Sequence, residues 1–115
     1  MKLEGEQKLL RIFILEQDKW NGLPLYEAII QQARSLGIAG ATTLRGFLGF
    51  GRGAHIHTTK LLELSYDLPV LIEIVDTEDK IKTLIPKLNE MIQEGLVTIE
   101  TVHVLMYRAN PAKNS

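Results

Sequence analysis

The apolar positions of this chain alternate between two periods, and the switches mark its elements. From Lys8 to Leu15 the period is two, with Leu10, Ile12 and Ile14 on one side and Leu9, Arg11, Phe13 and Leu15 on the other. Such a strand, largely apolar on both faces, belongs in the middle of a sheet. Glu16 to Gly22 is a polar connection with turn chemistry at Asn21-Gly22. It carries Trp20, a residue type that more often caps a core edge or a subunit contact than binds a ligand. Pro24 and Gly37 bracket a helix whose stripe is Leu25, Ala28, Ile29, Ala33 and Leu36, widened by Ile30. Ala41 to Leu44 begins a second strand. Leu61 to Asp67 resumes alternation through Leu62, Leu64 and Tyr66, Leu68-Pro69 marks a bulge or break, and Val70 to Val75 continues as strand with Glu73 exposed or paired. Asp76 is a fitting N-cap, with Glu78 and Asp79 in the first turn that follows. Ile81, Leu84, Ile85, Leu88, Met91 and Ile92 then form a helical stripe, kinked at Pro86 and ended by Gly95. Leu96 to Tyr107 is the last strand.

The order β-α-β-β-α-β predicts an α+β, ferredoxin-like sandwich: an antiparallel sheet with both helices on one face and a long loop between strands 2 and 3. It forms a single domain over residues 1–115, with an ordered core from about 8 to 108 and a polar C-terminal tail. Strands apolar on both sides leave the second sheet face needing cover, and oligomerisation is the simplest cover.

Composition narrows the chemistry. A chain of 115 residues with a formal net charge of −1 lacks the basic excess of a dedicated nucleic-acid binder. The absence of cysteine removes thiol catalysis, disulfides and thiolate metal centres. The apolar part of the N-terminus, Leu9 to Leu15, is short, is interrupted by Arg11 and has no small-residue cleavage site after it. No run has the length that spans a bilayer, so a cytoplasmic protein without membrane insertion is expected.

The stretch Ala41–Lys60 holds the candidate chemistry. It contains Gly46, Gly49, Gly51 and Gly53, and no acidic residue occurs between Glu27 and Glu63, whereas Arg34, Arg45, Arg52 and Lys60 lie in that gap. Glycines let backbone N–H groups converge on an anion in conformations that a Cβ forbids. A cation-bearing glycine loop leaving a strand thus suits phosphate. On composition alone, a β-hairpin with a glycine tip is the simpler reading.

Gly49-Phe50-Gly51-Arg52, Gly53-Ala54-His55, and a Leu-Pro leading into Val70-Leu71-Ile72-Glu73-Ile74-Val75 resemble the PII signal-transduction superfamily. Arg45-Gly46-x-x-Gly49-Phe50-Gly51, Ile56-His57-Thr58, Leu64-Ser65-x-Asp67-Leu68-Pro69 and Glu73-Ile74-Val75-Asp76 are similar, more closely, to an uncharacterised PII-like family, domain of unknown function 190. The likeness runs from about Leu9 to Tyr107. It implies a homotrimer with ligand clefts between neighbours, an adenine nucleotide as effector, and a protein or transporter target engaged through the 46–60 loop. It marks Arg45, Gly46, Gly49, Phe50, Gly51, Arg52 and His57 as ligand-binding candidates. Two departures stand out. Gln93-Glu94-Gly95-Leu96-Val97-Thr98 has one glycine and no lysine where a PII protein has a glycine- and lysine-rich triphosphate loop, and of that family's C-terminal arginines only Arg108 has a counterpart. AMP or ADP is therefore the expected effector rather than ATP.

Three other classes compete. Arg45-Gly46-Phe47-Leu48-Gly49-Phe50 imitates an RNA-recognition signature, but on the second strand instead of the third. His55 and His57, with His103 as a third ligand, would suit zinc, copper or nickel. An enzyme finds no nucleophile–base pair, carboxylate dyad or glycine loop followed by Lys-Ser/Thr, so a non-enzymatic protein is expected.

Overall fold

The computed structural model describes residues 3–51, the backbone of 57–58, and residues 67–110. A four-stranded antiparallel sheet carries the fold. Its central strands are β1 (Gly5–Leu15) and β7 (Pro69–Asp76), with β4 (Gly40–Arg45) and β8 (Leu96–Val104) at the edges in the order β4-β7-β1-β8. Between β1 and β4 come a miniature hairpin, β2 (Lys19–Trp20) with β3 (Leu23–Pro24), and helix α1 (Leu25–Ser35). The 48–58 region holds a second small ribbon, β5 (Leu48–Gly49) with β6 (His57–Thr58), and helix α2 (Glu78–Met91) joins β7 to β8. The result is the ferredoxin-like α+β sandwich expected from the element order.

The two-residue period of the strands sorts their side chains. Leu10, Ile12 and Ile14 of β1 and Val70, Ile72 and Ile74 of β7 form one cluster with Leu25, Ala28, Ile29 and Ala33 of α1 and Ile81, Leu84, Leu88 and Met91 of α2. Each large side chain withdrawn there from water contributes about 1.5–3 kcal/mol, which fixes the register of both helices against one sheet face. Trp20 packs on the edge of this cluster. Asn21 (φ 48°) and Gly22 (φ 81°) take the two left-handed conformations that a tight hairpin turn demands.

The opposite face is open. Register places Leu44, Leu71, Phe13 and Leu96 in one row across all four strands, and below it Thr42, Glu73, Arg11 and Thr98. Phe13, Leu44 and Leu96 are 40%, 49% and 56% exposed.

Several boundaries differ from the sequence reading. β1 starts at Gly5, because its N-terminal residues pair with β8 as far as Val104. β7 starts at Pro69 itself, a place where the missing N–H costs no ladder bond. β8 stops at Val104, three residues before Tyr107. The N-cap of α2 is Thr77, whose hydroxyl accepts the Lys80 N–H at 3.2 Å. Asp76 is instead the fully buried end of β7, accepting the Ala39 N–H at 2.8 Å and the Thr77 N–H at 2.6 Å. The strand expected over Leu61–Asp67 lies outside the described residues, apart from Asp67. Among the described residues no helix is long and apolar enough to cross a membrane.

Candidate functional site

Where β4 ends, the chain turns away from the sheet under tight contact with Pro69. The Gly46 N–H donates to the Pro69 carbonyl at 2.7 Å. A Cβ on Gly46 would stand 3.0 Å from Pro69 Cγ, and one on Gly49 would stand 3.3 Å from it. Among the described residues the positive-φ glycines are Gly5, Gly22, Gly37 and Gly95, and Gly46, Gly49 and Gly51 are not among them. At Gly46 and Gly49 the small residue therefore answers a close approach of two limbs, not the left-handed backbone of an anion nest. The pairing of Leu48 with Thr58 and of Gly49 with His57 makes the start of this loop a β-ribbon, as the hairpin reading expected.

The returning limb is held equally firmly. Leu68 is buried, and its carbonyl accepts the Glu16 N–H at 2.8 Å. The Asp67 carboxylate accepts the Gln17 N–H at 3.0 Å. On the outgoing limb the Arg45 guanidinium, 61% exposed, is ion-paired with the Glu16 carboxylate, 18% exposed. The segment free of acid along the chain thus meets an acid in space. Glu16 and Asp67 are the site residues that sequence reasoning missed: the Arg45–Glu16 pair joins positions 29 apart, and no local spacing announces it.

Further along the outgoing limb Phe47, Leu48 and Phe50 are 78%, 60% and 72% exposed. Of the expected ligand-binding residues, Arg45, Gly46, Gly49, Phe50 and Gly51 are described, and they follow one another along the outgoing limb. Arg52 and His55 lie outside the described residues, and His57 is described only as backbone of β6.

The geometry bears on the rival chemistries. Phe47 and Phe50 sit beyond the end of an edge strand, whereas RNA-binding ferredoxin-like domains stack bases on aromatics of their central strands. His103 is exposed on β8 opposite Glu6, and the described residues contain no group of three metal-ligating side chains.

A concavity of about 570 Å³ lies at the other end of the open sheet face, lined by Leu3, Leu9, Thr42, Val75, Val104 and Tyr107 among others. Tyr107 closes it by donating its hydroxyl to the Ala39 carbonyl at 2.7 Å and its N–H to Glu4 at 2.9 Å. Among the described residues the only charged group in its lining is the Glu73 carboxylate, which is ion-paired with Arg11. Glu73 accepts from Arg11 Nε at 2.9 Å, and Arg11 also pairs with Glu100. The Glu73 hydrogen bond, assisted by the Glu100 charge, raises the Arg11 pKa further.

Three comparisons place this architecture. Residues 7–104 match the family model DUF190, described as "Uncharacterized ACR". A UPF0166 protein of Aquifex aeolicus (strain VF5) is 38% identical over 100 residues, covering 87% of this chain and 94% of that protein. Among solved structures, CPII of Thiomonas intermedia K12, a nitrogen regulatory PII-like protein bound to ADP, AMP and bicarbonate, superposes with a TM-score of 0.65 at 16% identity, covering 90% of this chain and 99% of that one. A putative PII-like signaling protein of Thermus thermophilus gives 0.63 at 18% identity, covering 90% and 93%. The chain belongs to the DUF190 family and has the fold of the PII-like proteins.

Proposed function

We propose that this chain is a cytoplasmic PII-like regulatory protein that works by binding rather than catalysis. It takes AMP or ADP in clefts between the subunits of a homotrimer and reports occupancy to a protein or transporter target through the 46–60 loop. One observation carries the reading: Arg45 and the glycine-flanked Phe50 stand exposed along the outgoing limb of the loop, on a fold shared with CPII, which is bound to ADP and AMP. An exposed guanidinium and an exposed aromatic ring on one limb suit an adenine nucleotide, the first for phosphate and the second for the base.

Assembly follows from the open face. The row Leu44–Leu71–Phe13–Leu96 crosses the whole sheet and leaves large apolar side chains in water, the signature of a surface made for a partner. Preference for a mono- or diphosphate follows from the α2–β8 connection. Its single glycine, Gly95, lies so close to β1 that a Cβ there would stand 2.8 Å from the Phe13 carbonyl, so this glycine serves packing and no lysine accompanies it.

A thermal-shift screen of nucleotides, beside light scattering of the free protein, tests the proposal. AMP or ADP at about a hundred times its dissociation constant stabilises the folded state by about 2.7 kcal/mol, and the scattering mass equals three chains. A monomer at micromolar concentration, or no shift with any adenine nucleotide, would contradict it.

A further inference from the structure

Both limbs of the loop are fastened to two consecutive residues of one turn. That turn closes on itself, with the Leu15 N–H on the Asp18 carboxylate at 2.9 Å and the Asp18 N–H on the Leu15 carbonyl at 3.2 Å. It is tied to the start of α1 as well, where the Leu25 N–H reaches the Asp18 carbonyl at 2.7 Å. From this anchored turn, Glu16 and Gln17 hold Leu68 and Asp67 of the returning limb through their N–H groups. The Glu16 carboxylate reaches across to Arg45 on the outgoing limb.

The pair is unequal. Its carboxylate is recessed and its guanidinium faces water. An anion that approaches Arg45 from solvent finds accessible N–H donors, for a guanidinium has five, and a carboxylate directly behind them. The two negative groups repel each other across the shared guanidinium.

We infer that Glu16 is the built-in competitor of the loop-foot anion site and so its specificity-determining residue. In the free protein Glu16 holds Arg45; a phosphate-bearing ligand draws Arg45 away, and the outgoing limb is released from the turn that still grips the returning one. The inference rests on the nucleotide reading above. It adds that selection is by charge: a phosphate dianion displaces the carboxylate, and the uncharged nucleoside does not. Exchange of partners at Arg45 also links occupancy to the loop without movement of the sheet.

Glu16→Gln keeps the shape and removes the charge, which makes it the test variant. It is expected to bind AMP and ADP about two- to fivefold more tightly than the parent, the range that a partly exposed ion pair commands. Adenosine affinity stays unchanged. Arg45→Gln weakens AMP and ADP and abolishes the effect of the Glu16 change, so that the double variant behaves like Arg45→Gln alone. In the ligand-free protein, hydrogen exchange at the Gly46 amide is about two- to fivefold faster in Glu16→Gln than in the parent. Nucleotide affinity equal in parent and Glu16→Gln overturns the competition while leaving the nucleotide site standing. Equal gains for adenosine and ADP overturn selection by charge. A parent that binds neither AMP nor ADP overturns the nucleotide reading, and this inference with it.

Discussion

Gly95→Ala is the sharpest test of how the α2–β8 connection is built. The added methyl would stand 2.8 Å from the Phe13 carbonyl oxygen and 3.2 Å from the γ2 methyls of Ile14 and Ile92. The two isoleucines can yield by small rotations. The carbonyl cannot, because Phe13 is paired on both sides, to Leu71 of β7 and to Leu96 of β8. Relief must come from pushing the connection away from β1, which strains the start of β8. Overpacking of this kind costs about 1–3 kcal/mol, and the fixed carbonyl puts Gly95→Ala in the upper half of that range. For a chain of 115 residues, about 2–3 kcal/mol lowers the melting temperature by about 6–15 °C. Far-UV circular dichroism reads the transition, with protomer concentration held constant because assembly makes it concentration-dependent. A melting temperature within about 2 °C of the parent would refute the reasoning and free Gly95 for a role toward ligand.

Further outcomes follow from the same geometry. Asp76→Ala strands two backbone N–H groups at a buried position and should cost more than about 2 kcal/mol in urea unfolding, at about 1–3 kcal/mol for each group left unpaired; Thr77→Ala removes one cap bond and should cost about 0.5–2 kcal/mol. Phe13→Asp puts a charge in the apolar row of the open face, so light scattering should show monomers while circular dichroism keeps the parent's secondary structure. Arg52→Ala, at a position that the PII resemblance marks for ligand, should weaken AMP and ADP by about 1.5–3 kcal/mol, the scale of hydrogen bonds to charged groups, with the trimer intact by light scattering.

What the sequence made legible is what short-range periodicity encodes. The stripe Ile81, Leu84, Leu88 and Met91 is buried as its spacing requires, and Ile72 and Ile74 alternate inward as strand residues do. Ile85, counted in the same stripe, is 40% exposed, because the helix presents only part of a wide apolar face to the sheet. Asp76 and Thr77 are both cap-type residues in adjacent positions. The Ala39 N–H, 37 residues away, claims the aspartate and leaves the cap to threonine. The same limit hid the loop's charge balance: the acid-free gap around Arg45 exists only along the chain, and Glu16 fills it from the turn after β1. Glycine was read for its backbone freedom, whereas Gly46 and Gly49 are small because the Pro69 ring passes close to them. Distances between remote segments, not local preferences, decide all three.

Isothermal titration calorimetry of the unmodified protein with AMP, ADP, ATP and cyclic AMP decides whether the loop foot binds an adenine nucleotide. Saturable binding of AMP or ADP below millimolar concentration is expected, one molecule per chain, with ATP gaining nothing from its third phosphate. Absence of binding by every one of these nucleotides up to millimolar concentration would contradict it and leave the loop foot as a hairpin built for packing.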